Sequence, residues 1–257
     1  MNVNNFVIDR IVRGTMLSST DKSVLWSLTQ IQNPQLSMSS ETVDAVDAMG
    51  SKIMTFERAK EATFSAENAI FDMDLLAAQA GTVKEVATVD KKIACPIFDI
   101  LTVSEGKVTL THEPLEDIPF IYVLNGDDTV STPYKSGVES TAKTFKRDGK
   151  EITLPTEVTA GRVFVTYEYE SDNAIQVVNK ATEFPKAGEF VMEILGADVC
   201  DPTTLVHAYL IFPNCKLSSS TDLTLETEMT MGFELTASQS YCDAEKKLWR
   251  LVIPQAA

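Results

Sequence analysis

The strictest pattern in the chain is the alternation over Asp222–Ala237, DLTLETEMTMGFELTA. Leu223, Leu225, Met229, Met231, Phe233 and Leu235 share one parity; Asp222, Thr224, Glu226, Glu228, Thr230, Glu234 and Thr236 share the other. A period of two predicts a strand with one buried and one wet face. At ~3.3 Å per residue it would reach roughly 50 Å, against a usual strand of about 5–6 residues. Helical spacing would scatter the same apolar residues around a cylinder. So long a strand has to be used or hidden, because an open edge templates pairing with another chain.

The rest of the chain is mostly strand-like too. Residues 1–20 read as an arm with an apolar segment, Phe6–Val12. Val24, Trp26 and Leu28 alternate, and Leu36 and Met38 resume after Asn33-Pro34, so Ser23–Ser39 reads as one strand broken by a bulge or corner. From Glu41 to Asn68 the pattern predicts a long charged loop or hairpin turning at Ala48–Ser51. The one helix is FDMDLLAAQAG. Phe71, Leu75, Leu76 and Ala80 form its face, Asp72 and Asp74 favour its start, and Gly81 ends it. Strands return from Val83 to Thr111. Turns then crowd residues 113–161 between the short strands Pro119–Leu124, Glu151–Leu154 and Arg162–Glu170, as in a small β-sandwich. Glu189–Leu195 is a further strand. Leu205–Pro213 is apolar on both faces and reads as a central buried strand, and Glu245–Ile253 closes the sheet. The expected fold is all-β with one short helix. It comprises one domain over 1–99 and 172–257 and a small β insertion over 100–171.

Composition narrows the function. At 44% hydrophobic with 12 Phe, the chain can build a core. A net charge of -15 repels phosphate backbones. Cys95, Cys200, Cys215 and Cys242 are widely spaced and, with only His112 and His207, make no metal-ligand spacing. They read as reduced, mostly buried thiols. The N-terminal MNVNNFVIDRIVRG lacks the apolar core of a signal peptide, and no run approaches the ~18 residues of a membrane span.

Catalytic motifs are missing: there is no nucleophile elbow, Walker loop or dinucleotide fingerprint. His207 reads as a hydrogen-bonded structural histidine in a strand. Glu226/Glu228 and Glu168/Glu170 resemble a glycosidase pair only in spacing, and a solvated strand face explains them better. Glu113/Glu116/Asp117 and Asp127/Asp128 lack calcium-loop spacing. Lys143, Lys146, Arg147 and Lys150 read as a solvated turn. An enzyme is thus the weakest class.

The order of elements carries a resemblance. A strand is followed by the charged segment TVDAVDAMGSKIMTFERAKEATFSAEN, the single helix, a β insertion, and the closing block FPNCKLSSSTDLTLETEMTMGFELTASQSYCDAEKKLWRLVIP. This resembles the tail tube (major tail) proteins of long-tailed bacteriophages, over roughly 20–98 and 172–253. The middle resembles the immunoglobulin-like insertions that decorate some of them. The resemblance implies a tail-tube-like β-sandwich or barrel assembled as stacked hexameric rings, edge to edge around an inner barrel through which DNA is ejected. It implies no cofactor, a virion location after synthesis in the host cytoplasm, and no membrane. Its partners would be further copies of the chain, with terminator, baseplate or tip, tape-measure and sheath proteins. On it, Thr224, Glu226, Glu228, Thr230 and Glu234 are expected to face the lumen, where DNA passes without specific binding. Glu41, Asp44, Asp47, Lys52, Glu57, Arg58 and Lys60 are expected to contact the next ring. Alternatives are another virion β protein (capsid decoration or baseplate), the tube of an injection apparatus, or a carbohydrate-binding module. The last would want an exposed Trp or Tyr, whereas Trp26 and Trp249 read as core.

Overall fold

Where alternation is regular, the chain is extended. The computed structural model describes residues 5–220, 223, 226, 227, 229–239 and 244–254. Strands β1 (Phe6–Ser18), β2 (Val24–Leu28), β3 (Ile31–Val46) and β4 (Lys52–Asn68) precede helix α1 (Met73–Gln79). Then come β5 (Glu85–Val86), β6 (Ile93–Thr102), β7 (Lys107–Thr109), β8 (Phe120–Leu124), β9 (Val130–Ser136), β10 (Thr144–Asp148), β11 (Glu151–Thr153), β12 (Arg162–Ser171) and β13 (Ile175–Gln176). The last are β14 (Ala187–Asp198), β15 (Asp201–Leu217), β16 (Met231–Ala237) and β17 (Arg250–Val252). The fold is all-β with one short helix.

Two units share the chain: residues 1–84 with 177–257, and Glu85–Gln176. The first holds a sheet in the order β2-β1-β14-β15-β16-β4-β3, with β17 added against β15. Its ladders are antiparallel. Register sets the core. Leu36, Phe64, Leu235 and Leu217 lie across one row of β3, β4, β16 and β15. Trp26, Phe64, Phe190, Phe212 and Phe233 meet with ring centroids 5.5–6.3 Å apart. Each such ring stabilises by about 2–3 kcal/mol through burial. Gly14 lets these side chains approach the backbone closely, since a Cβ there would meet Ile31 Cδ1 at 2.5 Å and Phe190 Cζ at 2.9 Å and push them aside.

Helix α1 forms where the sequence predicts it. The Asp72 side chain caps it by accepting the Leu75 N–H at 2.8 Å. Its apolar face buries Leu75 and Ala77, and Gln79 Nε2 donates to the Gly232 carbonyl at 2.9 Å. Gly81 leaves the helix at φ +75°, against the Phe184 backbone, where no side chain fits.

The second unit has a sheet ordered β6-β12-β8-β9-β10-β11-β7, with a β5–β13 pair beside it. Ile121, Phe145, Ile152, Val163 and Val165 fill its core. Within this unit β6 pairs with β12 along its whole length, and β5 pairs with β13 at Glu85 and Val86.

Several expectations change. Of the strand expected over Asp222–Ala237, the described residues form a strand over Met231–Ala237. Glu226, Thr227, Met229 and Thr230 precede it outside any strand, and Asp222, Thr224, Leu225 and Glu228 lie outside the described residues. The long strands are β3, β4 and β15 instead. Alternation shows which face is apolar, but a strand persists only where a neighbour accepts its hydrogen bonds, and among the described residues β4 pairs with β16 over Met231–Thr236. Asn33-Pro34 bulges within β3, and the break falls earlier, between β2 and β3. The closing strand is three residues, Arg250–Val252. β15 is not buried on both faces: His207 is exposed, and Tyr209 and Ile211 are half-buried. Cys215 alone of the described thiols is buried; Cys95 is half-buried, Cys200 is exposed, and Cys242 lies outside the described residues.

Candidate assembly surfaces

Three surfaces of the first unit stand out. The first is the distal part of the β3–β4 hairpin. From Ser39↔Glu61 to Val46↔Lys52 the two strands pair only with each other among the described residues, and nearly every residue is exposed on both faces. At ~3.3 Å per residue this ribbon is about 25 Å long. All seven residues expected at a ring contact lie on it: Glu41 opposite Arg58, Asp44 opposite Thr55, Asp47 in the turn, and Lys52, Glu57 and Lys60 along β4. Asp44 accepts from Lys52 Nζ at 2.7 Å and from Thr55 Oγ1 at 2.6 Å, which hold its carboxyl below the usual carboxylate range. Exposed Met38, Val46, Met49, Ile53, Met54 and Phe56 lie among these charges. A lone two-stranded ribbon is marginal in water, and this one exposes large apolar side chains as well.

The second surface is the wet face of the sheet. One row runs Ser37, Thr63, Thr236, Lys216; the next runs Gln35, Ser65, Glu234. Glu61 and Glu67 lie on the same face of β4. Further along the sheet are Glu193 and Tyr209, opposite one another, with His207 Nδ1 2.8 Å from Glu193 Oε1. His207 therefore stands beside an exposed-face carboxylate and not among core residues. Of the expected lumen set, Glu234 stands on this face, exposed. Glu226 and Thr230 are exposed just before β16, and Thr224 and Glu228 lie outside the described residues.

The third is a pair of open edges. Among the described residues, β1 over Phe6–Arg13 and β15 over Asp201–Ala208 each have β14 on one side and no strand on the other. Unpaired N–H and C=O groups at such edges are templates for a further strand. Among the described residues the edge hazard thus belongs to these strands, together with β2 and β3 at the ends of the sheet. Alternation does not reveal it, because which strand is flanked depends on topology.

All three surfaces belong to the first unit. They are polar walls, edges and an arm, the parts of something that associates. Comparison with known families decides the matter: the YomU/Tube protein family profile matches residues 6–246. The chain belongs to the YomU/Tube protein family. As a member it is a structural phage tail tube protein, a virion component that self-assembles into a tube with other tail components. Comparison with curated proteins gives no match.

The sequence reading of this YomU/Tube protein missed one surface of the second unit. Phe98, Ile100 and Phe120 are exposed, and the Phe98 and Phe164 rings stack with centroids 6.0 Å apart. The signal was Phe98-Asp99-Ile100, where the apolar residues face out and the carboxylate faces in.

Proposed function

We propose that copies of this chain close into rings, six per ring as the family resemblance implies, and that the rings stack into a duct for DNA ejection. The observation that carries this is the exposed β3–β4 ribbon, an arm with no partner in its own chain among the described residues. Contact with an adjoining ring would cover it, with Glu41, Asp44, Asp47, Lys52, Glu57, Arg58 and Lys60 in the contact. The open edges of β1 and β15 support ring closure, since a closed ring leaves no strand unpaired.

Thr224, Glu226, Glu228, Thr230 and Glu234 face the lumen in this reading. A duct needs weak contact with its polymer: lysines would release counterions and hold phosphates, whereas carboxylates and hydroxyls do not. The unit 85–176 decorates the tube as an inserted module.

Two measurements test this. Negative-stain microscopy of the purified protein should show rings or tubes, and a strict monomer at high concentration overturns the proposal. Replacing Glu226, Glu228 and Glu234 together by Lys should leave tubes intact but hinder DNA delivery; normal infectivity refutes the lumen assignment.

A further inference from the structure

The tip of the β3–β4 ribbon is built to hold one side chain out. Asp47 Oδ1 accepts the N–H of Met49 at 2.9 Å and of Ser51 at 2.8 Å, and the Gly50 N–H donates to the Asp47 carbonyl at 3.0 Å. Gly50 takes φ +83°, which this turn requires and glycine supplies. At this hydrogen-bonded tip Met49 is 92% exposed, more than any other large apolar side chain described.

Elsewhere in the same unit lies a cavity of ≈ 80 Å³ between β2 and α1, walled by Met16, Trp26, Ala77, Val83 and Leu217. Trp26 is 2% exposed, yet its indole N–H has no acceptor. Buried donors are almost always partnered, so an unpaired one beside a cavity points to a missing occupant. The rim carries Lys186 and Lys84, the latter paired with Asp74 at 2.6 Å. The ribbon from 41 to 58 carries the carboxylates of Glu41, Asp44, Asp47 and Glu57 against the cations of Lys52 and Arg58. Tip and rim are thus opposite in charge.

We propose that Met49 of one copy seats in this cavity of a copy in the adjoining ring, with the acidic ribbon against Lys186. The inference rests on the stacked-ring reading and names its contact. A flexible thioether suits an irregular apolar gap. Knob and pocket lie on different parts of one chain, so the contact is head-to-tail and repeats without closing, which makes a filament.

The test uses the full chain with Cys200→Ser and Cys242→Ser, carrying Met49→Cys and Val83→Cys. Under mild oxidation, assembled tubes should give a ladder of disulfide-linked multimers, absent from either single cysteine variant. Tubes without a ladder overturn the inference and leave the tube reading standing. In parallel, Met49→Asp should raise the concentration needed for tube growth about tenfold or more at an unchanged Tm, while Met49→Leu stays near wild type. Normal growth of the Met49→Asp variant also overturns the inference. A wild-type protein that forms no tubes overturns both readings.

Discussion

Tyr167 and Asp99 are joined across the second unit's sheet: the Tyr167 hydroxyl donates to Asp99 Oδ2 at 2.7 Å. The Thr111 N–H (2.9 Å) and hydroxyl (2.8 Å) complete the shell of the carboxylate. Burial pushes the Asp99 carboxyl up, but these three hydrogen bonds outweigh it and hold it below its ordinary value. A depressed folded pKa stabilises above the unfolded value of about 3.9 and is lost as pH falls through the folded one. The unit's stability should therefore drop below about pH 4, and Asp99→Asn should flatten that drop while costing about 1–3 kcal/mol at neutral pH. Urea titrations across pH, read by circular dichroism, check both.

Thiol reactivity should separate two cysteines. Burial pushes Cys215 up to about 12, so at neutral pH it stays a thiol within the core, whereas Cys200 is exposed. A thiol reagent on the native protein should modify Cys200 and spare Cys215 until the chain unfolds. The raised folded pKa also means that Cys215's contribution is complete below the unfolded value of about 8.5 and is lost as pH rises toward the folded one.

Phe64 touches the Phe190, Phe212 and Phe233 rings at the centre of the first unit. Phe64→Ala should destabilise by about 3–5 kcal/mol through lost transfer energy and a cavity. Equilibrium denaturation measures it, and loss of tubes should follow loss of fold.

Gly81 holds φ +75° against the Phe184 backbone. Gly81→Ala should cost more than about 1 kcal/mol, since strain and collision add. Gly50, at φ +83° with open space around it in the same unit, makes the control, with strain alone. Comparing the two Tm values isolates the collision.

Much of the fold was legible in local pattern. Asp72, Leu75 and Gly81 announce α1, and the parity of Ala62, Phe64 and Ala66 announces the buried face of β4. The candidate surfaces were legible in part. The charged hairpin was foreseen, and Glu234 does stand on a wet strand face. Its extent was not: the alternation continues back to Asp222, but among the described residues β4 pairs with β16 from Met231 to Thr236.

The sequence by itself determined strand character, the single helix and which side of each strand is apolar. A two-residue or 3.6-residue period is a property of neighbouring residues and needs no partner. Only the tertiary structure decided how far each strand runs, that parts of β1 and β15 are left unflanked inside the sheet, that Phe98 faces out over a buried Asp99, and that Met49 stands at a hydrogen-bonded tip. Those features rest on hydrogen bonds and contacts between segments distant in the chain. Alternation is the same for a strand flanked on both sides and for one flanked on neither.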